Sequence, residues 1–327
     1  MKIALTGSTG FIGGQLCRFF AKQKEIELTI LARSKDKVKS LAITNVKSYY
    51  GDINDLDLLK DAFKGQDIII HLAALFNHPE YSWDDYRRVN VKGTSNVLQA
   101  AHSQNVRRVV YCSTIGVAAS DKQQPFSEKT PYSFPAWDKY ETTKCEAEKL
   151  ALDFCRNNNL EVVVIRPAQV YGPCDQGKAK FYRMVKKGII VNPGQTKKHL
   201  IYIDDLCRAF QLAAEKENLN GEVFIIAGQH AIFLRDLISI VAAELHVNVP
   251  WFYIPALPMT FLCGIVETLC NFIHIKPVLF KRSMDFFIKS VEFNISKAKK
   301  ILDFQAQITI HEGVSRTAKW YIKNDLL

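Results

Sequence analysis

The sequence predicts an α/β protein: a doubly wound parallel sheet, with a smaller lobe drawn from the last third of the chain. Three observations lead there. Apolar runs alternate with segments of helical periodicity over about the first 170 residues. Those runs are continuously apolar, as expected for strands covered by helices on both faces. Gly7, Gly10 and Gly13, spaced three apart, stand where the first run gives way to the first helix.

The elements follow in order. Lys2–Gly7 is a short apolar run ending in glycine, and Phe11–Gln23 has helical periodicity. Glu27–Arg33 reads as the second strand, followed by a polar, lysine-rich helix and a third strand, Val46–Asp52. A helix over Leu56–Phe63 leads to a fourth strand within Asp67–Ala74. Asn90–Gln104 is helical, Arg107–Thr114 is the fifth strand and Lys139–Cys155 is a long helix. Leu160–Pro173 holds a sixth strand and its exit loop. The expected division is a core unit over residues 1–172 and, over 173–327, mainly a substrate-binding lobe with segments returning to the sheet.

Composition narrows the class. A 327-residue chain with 48% hydrophobic and 23% charged residues can bury a sizeable core, which excludes a disordered protein. Net charge is +10, densest over Gly177–Gly188 with Lys197 and Lys198 beyond. That charge fits a solvated helix face, or attraction to an anionic ligand or lipid surface; with no recognition motif beside it, nucleic acid is not expected. Eight cysteines without paired short spacings read as reduced thiols, and Cys and His show no metal-ligand spacing. The N-terminus enters a strand at once, so the expected location is cytoplasmic. Pro255–Ile273 is apolar but carries two prolines at its start, Glu267 and Asn271. It suits a buried or interfacial helix better than a span, and peripheral membrane contact is not favoured.

The glycine loop Thr6–Gly14 carries the first chemistry. Glycine at its turn permits positive φ, and the next lets backbone approach a pyrophosphate. The helix start then offers unpaired amides to phosphate. Gly7, Ser8, Thr9, Gly10, Phe11, Ile12 and Gly13 are therefore candidates for holding a dinucleotide. The second strand ends in Arg33 and Ser34, with Lys35 and Lys37 behind, where selective NAD binding wants an acidic residue. A guanidinium matches a 2′-phosphate, so NADP is expected; if Arg33 only stacks on adenine, NAD fits too. Asp52 and Ile53 fall beside the adenine, and the small residues after His71 (Leu72, Ala73 and Ala74) let cofactor lie against backbone. His71 itself reads as structural.

Two Tyr–Lys pairs at helical spacing compete for the reacting centre: Tyr140 with Lys144, and Tyr182 with Lys186. Spacing alone does not choose between them. Taken together, "TGSTGFIG", "GDI", "HLAA", "NVKGTSNVLQAA", "VVYCST", "YETTK" and "RPAQVYGP" occur in an order that resembles the extended short-chain dehydrogenases/reductases, closest to the dihydroflavonol-reductase-like and 3β-hydroxysteroid-dehydrogenase-like branch. "YIDDL" and the C-terminal Ile295–Tyr321 extend the likeness over nearly the whole chain. The resemblance implies a Rossmann-type sheet and an NAD(P)-dependent enzyme. It selects Tyr140 as acid/base and Lys144 as the cation that lowers the phenol from its ordinary pKa near 10 and holds the nicotinamide ribose. Thr114 takes the family's hydroxyl-donor position, with Ser113 the fallback. By the same resemblance Asn90 positions active-site backbone or water, and Arg166, Pro167 and Val170 border the nicotinamide. Tyr182–Lys186 falls outside the family position and reads as a surface coincidence, while Asp204 and Asp205 read as a helix start.

The expected activity is NADP-linked interconversion of a carbonyl and a hydroxyl on a fairly apolar small molecule. A nucleotide-sugar epimerase or dehydratase retaining NAD is the alternative, with Lys198 near the position of its nucleotide-binding arginine. A non-catalytic dinucleotide sensor is the third. No metal is expected. A homodimer through the helices at Asn90–Gln104 and Lys139–Cys155 is compatible with the family pattern.

Overall fold

The computed structural model describes residues 1–76, 80–118, 125–249, 253–255, 258–259, 261, 263–265 and 281–327. Six strands follow one another in the first half: β1 Lys2–Thr6, β2 Glu27–Ala32, β3 Val46–Tyr50, β4 Ile68–His71, β5 Arg108–Cys112 and β6 Glu161–Pro167. A later strand, Val223–Ile226, pairs with β6 and completes a seven-stranded sheet. All its pairings are parallel, in the spatial order β3-β2-β1-β4-β5-β6 and then Val223–Ile226. Strand order reverses between β1 and β4, which opens a crevice beyond their C-terminal ends. This is the Rossmann-type fold that the alternating pattern predicts.

Apolar residues of β1, β4, β5 and β6 are buried on both faces, which is why these strands read as unbroken apolar runs. Two core clusters sit on the two sides. One gathers Ile3, Leu5, Ile68, Ile70 and Val110 with Leu16 and Phe20; the other gathers Ala4, Ile69, Val109 and Val162 with Phe63, Val97 and Ala147. The helices of this half are α1 Phe11–Phe20, α2 Lys35–Lys39, α3 Leu56–Phe63, α4 Trp83–Tyr86, α5 Gly93–Ser103 and α6 Lys139–Asn157; α1, α3, α5 and α6 supply these faces together with the later helix Ile203–Glu215, while α2 buries no residue. Between α4 and α5 the chain forms a π-helix over Arg87–Lys92, so the helix expected from Asn90 begins as a wider turn. Asp138 starts α6 by accepting the Tyr140 and Glu141 amides, each at 3.1 Å.

The later part of the chain packs onto the sheet's C-terminal side. Gln169–Tyr171 pairs with Leu200–Tyr202, and Ile190–Val191 with Tyr253–Ile254. Asp205 is buried and accepts the Gln307 and Ile308 amides at 3.0 and 3.1 Å, a structural duty as expected. Tyr182 corrects one expectation. It is no surface residue: helix Ala179–Lys186 buries it against Tyr321, with ring centroids 5.0 Å apart, while Lys186 faces outward. The same helix turns Lys180, Arg183 and Lys186 to solvent, the solvated face that the basic stretch predicted. Most of Pro255–Ile273 lies outside the described residues. Among the described residues no helix is long and apolar enough to cross a membrane, and no His/Cys/Asp/Glu group is arranged for a metal.

Candidate active site

The glycine loop lies at the crevice, between β1 and the start of α1. Gly7 has φ +73°, and a Cβ there would stand 2.6 Å from the Ala73 nitrogen, so the loop lies directly on the chain leaving β4. A Cβ on Gly13 would meet the Gly7 carbonyl oxygen at 2.1 Å, so helix and loop touch backbone to backbone. Gly10 differs: it is exposed, and its Cβ would approach only the Gly7 oxygen, at 3.4 Å. It precedes α1, which has no side-chain cap and no acidic residue in its first turn. Open space over Gly10 beside uncapped helix amides fits a pyrophosphate. Thr9, Phe11 and Ile12 are half-buried around this opening, while Ser8 is fully buried and spends its hydroxyl on the Leu31 carbonyl at 3.2 Å.

Arg33 is exposed at the end of β2, without an ion-pair partner among the described residues. Ser34 caps α2 by accepting the Lys37 amide at 3.3 Å. Asp52 accepts from the backbone and side chain of Asn54, and Ile53 is buried against Gly93. Leu72, Ala73 and Ala74 are half-buried beside the glycine loop.

A hydrogen-bond chain runs from this loop to α6. Thr6 Oγ1 meets His71 Nδ1 at 2.6 Å, and His71 Nε2 meets Thr94 Oγ1 at 3.0 Å. Thr94 donates onward to the Asn90 carbonyl at 2.6 Å, so its oxygen accepts from Nε2–H, and that assigns the histidine tautomer. Asn90 accepts the Leu75 amide at 2.7 Å and donates to Thr143 Oγ1, beside Lys144, at 2.9 Å. Burial, and then the charge of Lys144, pull His71 down to a pKa of about 3. It is neutral and structural, as expected. Asn90 is itself buried within the π-helix, so its side chain positions backbone.

The reacting face lies where α6 crosses the end of β5. Lys144 is 3% exposed and donates to the Cys112 carbonyl at 2.6 Å, with its nitrogen 4.2 Å from the Tyr111 ring centroid. Burial lowers its pKa to about 8, with Cys112 and Glu148 opposing. Tyr140, one turn earlier, is half-buried, and Phe76 packs edge-on against it at 4.8 Å between centroids. Ser113 and Thr114 follow β5 and differ sharply. Ser113 is buried and donates to Glu148. Thr114 is half-buried, and its Oγ1 accepts the Gly116 amide at 3.2 Å, which leaves its proton to donate elsewhere. A phenol and a buried ammonium on adjacent turns of α6, and a donor hydroxyl after β5, are groups able to move a proton to or from an oxygen.

Glu148 was not singled out by the sequence. It is completely buried and receives Ser113, the Tyr132 hydroxyl at 2.9 Å, and Arg166 at 2.5 Å from Nη2 and 3.1 Å from Nε. Arg166 is therefore held in a buried ion pair under Tyr132, whose ring lies 5.2 Å away, while its Nη1 is buried without a hydrogen-bond partner among the described residues. Although burial works against the Arg166 charge, the Glu148 hydrogen bonds and charge outweigh it and hold its pKa up. Pro167 is buried at the end of β6 and Val170 is half-buried in the following strand. Lys198 is also spent structurally: it donates to the Lys289 carbonyl at 2.7 Å, at the C-terminal end of helix Lys281–Ile288. The clue to Glu148 was present, because it stands four residues after Lys144 and shares its helix face.

The chain matches the model of a family described as "NAD dependent epimerase/dehydratase family" over residues 3–227. It belongs to that family. Its members include relatives with different named activities. The UDP-glucose 4-epimerase of Vibrio cholerae is 27% identical, with 98% of this chain and 95% of that protein covered. The decarboxylating sterol-4-alpha-carboxylate 3-dehydrogenase of Schizosaccharomyces pombe is 26% identical, over 98% and 97%. The 2-alkyl-3-oxoalkanoate reductase of Shewanella oneidensis is 26% identical, over 95% and 84%. In three dimensions, the UDP-glucuronic acid 4-epimerase from Bacillus cereus, solved with NAD, superimposes with a TM-score of 0.79 at 23% identity over the full length of both chains. This family member is therefore an NAD(P)-dependent enzyme of the extended short-chain dehydrogenase/reductase type.

Proposed function

We propose that the protein is an NADP-linked oxidoreductase that interconverts a carbonyl and a hydroxyl on a fairly apolar small molecule. The observation that carries this reading is the division of labour at the end of β5. Ser113 is committed to Glu148, Thr114 keeps a proton to donate, and Lys144 and Tyr140 stand on adjacent turns of α6. The nicotinamide, when bound, supplies or accepts a hydride at the substrate carbon. Tyr140 Oη gives its proton to the carbonyl oxygen during reduction, or removes one from the hydroxyl during oxidation. Thr114 Oγ1 donates a hydrogen bond to that same oxygen and holds it in line. Lys144 favours the phenolate by its charge and takes the ribose hydroxyls of the cofactor. Gly10 and the start of α1 take the pyrophosphate, and Arg33 takes the 2′-phosphate.

Phe76 supports an apolar substrate. It is 61% exposed although its ring rests on Tyr140, so a large apolar surface borders the proposed proton donor. Lys198 does not support the sugar-nucleotide reading, since its ammonium is taken by helix carbonyls. The epimerase reading keeps one support, the named activity of the Vibrio cholerae relative. In either reading the partner is a small molecule and not nucleic acid, and the expected compartment is the cytoplasm.

Turnover separates the two. The protein is to be assayed for NADPH oxidation with 2-decanone and with acetone, and for conversion of UDP-glucose. Reduction of the long ketone, without action on UDP-glucose, is the expected result. Epimerisation of UDP-glucose without ketone reduction would replace this reading with the alternative.

A further inference from the structure

Helix α6 grips the end of β5 at two consecutive residues. Lys144 donates to the Cys112 carbonyl, and Glu148, one turn on, accepts the Ser113 hydroxyl. Both side chains are buried, at 3% and 0% exposure, and their spacing places them side by side on the helix. Glu148 is held from two further directions: Arg166 from β6 and Tyr132 from the segment before α6. A carboxylate with this many partners is fixed in place as well as charged.

The groups facing Lys144 come from several elements. From β5 come the Cys112 carbonyl and thiol and the Tyr111 ring; from β4, His71; from α6, Glu148, with Tyr140 one turn before Lys144 on the same helix. Burial pushes the Cys112 thiol up to about 11 and Tyr111 well above its ordinary range, and holds His71 at about 3. Between pH 6 and 9 all three are neutral. Glu148, paired with Arg166, is the carboxyl group of this set and shares the helix face of Lys144.

We propose that Glu148 is a positioning residue of the active site, whose fixed charge keeps the Lys144 ammonium in place at the end of β5 for contact with the cofactor. This rests on the proposed role of Lys144. Without Glu148, one of the groups that oppose burial is lost, and the lysine gives up its proton at lower pH. Glu148 therefore extends the pH range over which Lys144 can serve.

The test is NADPH affinity measured by fluorescence from pH 6 to 9, with melting temperatures, for the parent protein, Lys144→Met, Glu148→Gln and the double variant Glu148→Gln/Arg166→Met. The parent is expected to lose affinity above about pH 8, and Lys144→Met to lack that dependence. In Glu148→Gln the decline should begin about one pH unit lower, making binding about 5- to 10-fold weaker than the parent at pH 8.5 and unchanged at pH 6. Breaking a buried ion pair on one side destabilises, whereas removing both partners is far milder. The double variant is thus expected to recover the melting temperature and keep the displaced pH curve. A double variant that recovers both makes Glu148 merely structural and overturns the inference, as does a Glu148→Gln curve that overlays the parent. A parent curve with no alkaline decline, or one that persists in Lys144→Met, overturns the role of Lys144 itself.

Discussion

The three glycines of the cofactor loop give the most detailed expectation, because the structure assigns each a different reason to lack a side chain. In Gly7→Ala the new residue must hold φ +73°, which costs about 1–2 kcal/mol for an L-residue. Its Cβ also stands 2.6 Å from the Ala73 nitrogen, and relieving such overpacking costs about 1–3 kcal/mol more. In Gly13→Ala the helix gains about 1 kcal/mol of propensity, but the Cβ meets the Gly7 oxygen at 2.1 Å and one backbone must move. Gly7→Ala should lose roughly 2–5 kcal/mol, a fall of several degrees in melting temperature, and Gly13→Ala up to roughly 2 kcal/mol. Gly10→Ala should differ in kind. Its Cβ meets only an ordinary contact at 3.4 Å, and alanine in place of glycine at the helix cap costs on the order of 0.5 kcal/mol. What it fills is the open approach to α1, so NADPH affinity should fall about 10- to 100-fold, or about 1.4–2.7 kcal/mol. Melting curves without ligand and fluorescence titrations with NADPH separate the two effects. If Gly10→Ala bound NADPH as the parent does, while Gly7→Ala melted as the parent does, the assignment of this loop would be wrong.

The remaining expectations concern the reacting face. Tyr140→Phe should lower turnover about 10²- to 10⁴-fold and leave the NADPH dissociation constant within a factor of two; equal losses in both would speak against a proton-transfer role. Thr114→Ala should lower turnover by at least about tenfold and Ser113→Ala by only a few-fold, because Ser113 already donates to Glu148; the reverse order would return the role to Ser113. Arg33→Ala should weaken NADPH by about 10-fold or more and leave NADH unchanged, and equal effects on both would limit Arg33 to stacking. Lys144 also leaves a signature in stability. Its pKa falls from 10.5 unfolded to about 8 folded, so between those values the unfolded chain binds more protons, and this group makes stability rise with pH. Below pH 8 the penalty of the buried charge is fully present. Urea melts should find Lys144→Met more stable than the parent at pH 7, with the gap narrowing by pH 10; a gap independent of pH would contradict the buried ammonium.

How much of this was legible in the sequence depends on the range of the interaction. The strands were readable because burial on both faces leaves an unbroken apolar run such as Ile68–Ile70. The glycine loop was readable because its demands, positive φ at Gly7 and close approach at Gly13, fall within a few residues of each other. Long-range commitments were not readable. Arg166 pairs with a carboxylate eighteen residues earlier in the chain, which no local pattern announces. Lys198 looked like a nucleotide contact and instead closes a helix end almost ninety residues away. Tyr182 has the same spacing to a lysine as Tyr140, and only packing against Tyr321 shows it to be core. The π-helix at Asn90 has no signature in periodicity; within it the Asn90 side chain bridges Leu75 and Thr143.

The central claim is an exchangeable NADP-linked active site, and cofactor content with affinity tests it most directly. The purified protein is to be denatured and its released nucleotide identified, and fresh protein then titrated with NADPH and with NADH. The account predicts little retained nucleotide, tight NADPH binding and NADH weaker by at least about tenfold. Stoichiometric NAD carried through purification, or a preference for NADH, would contradict it and favour an enzyme that keeps its cofactor through turnover.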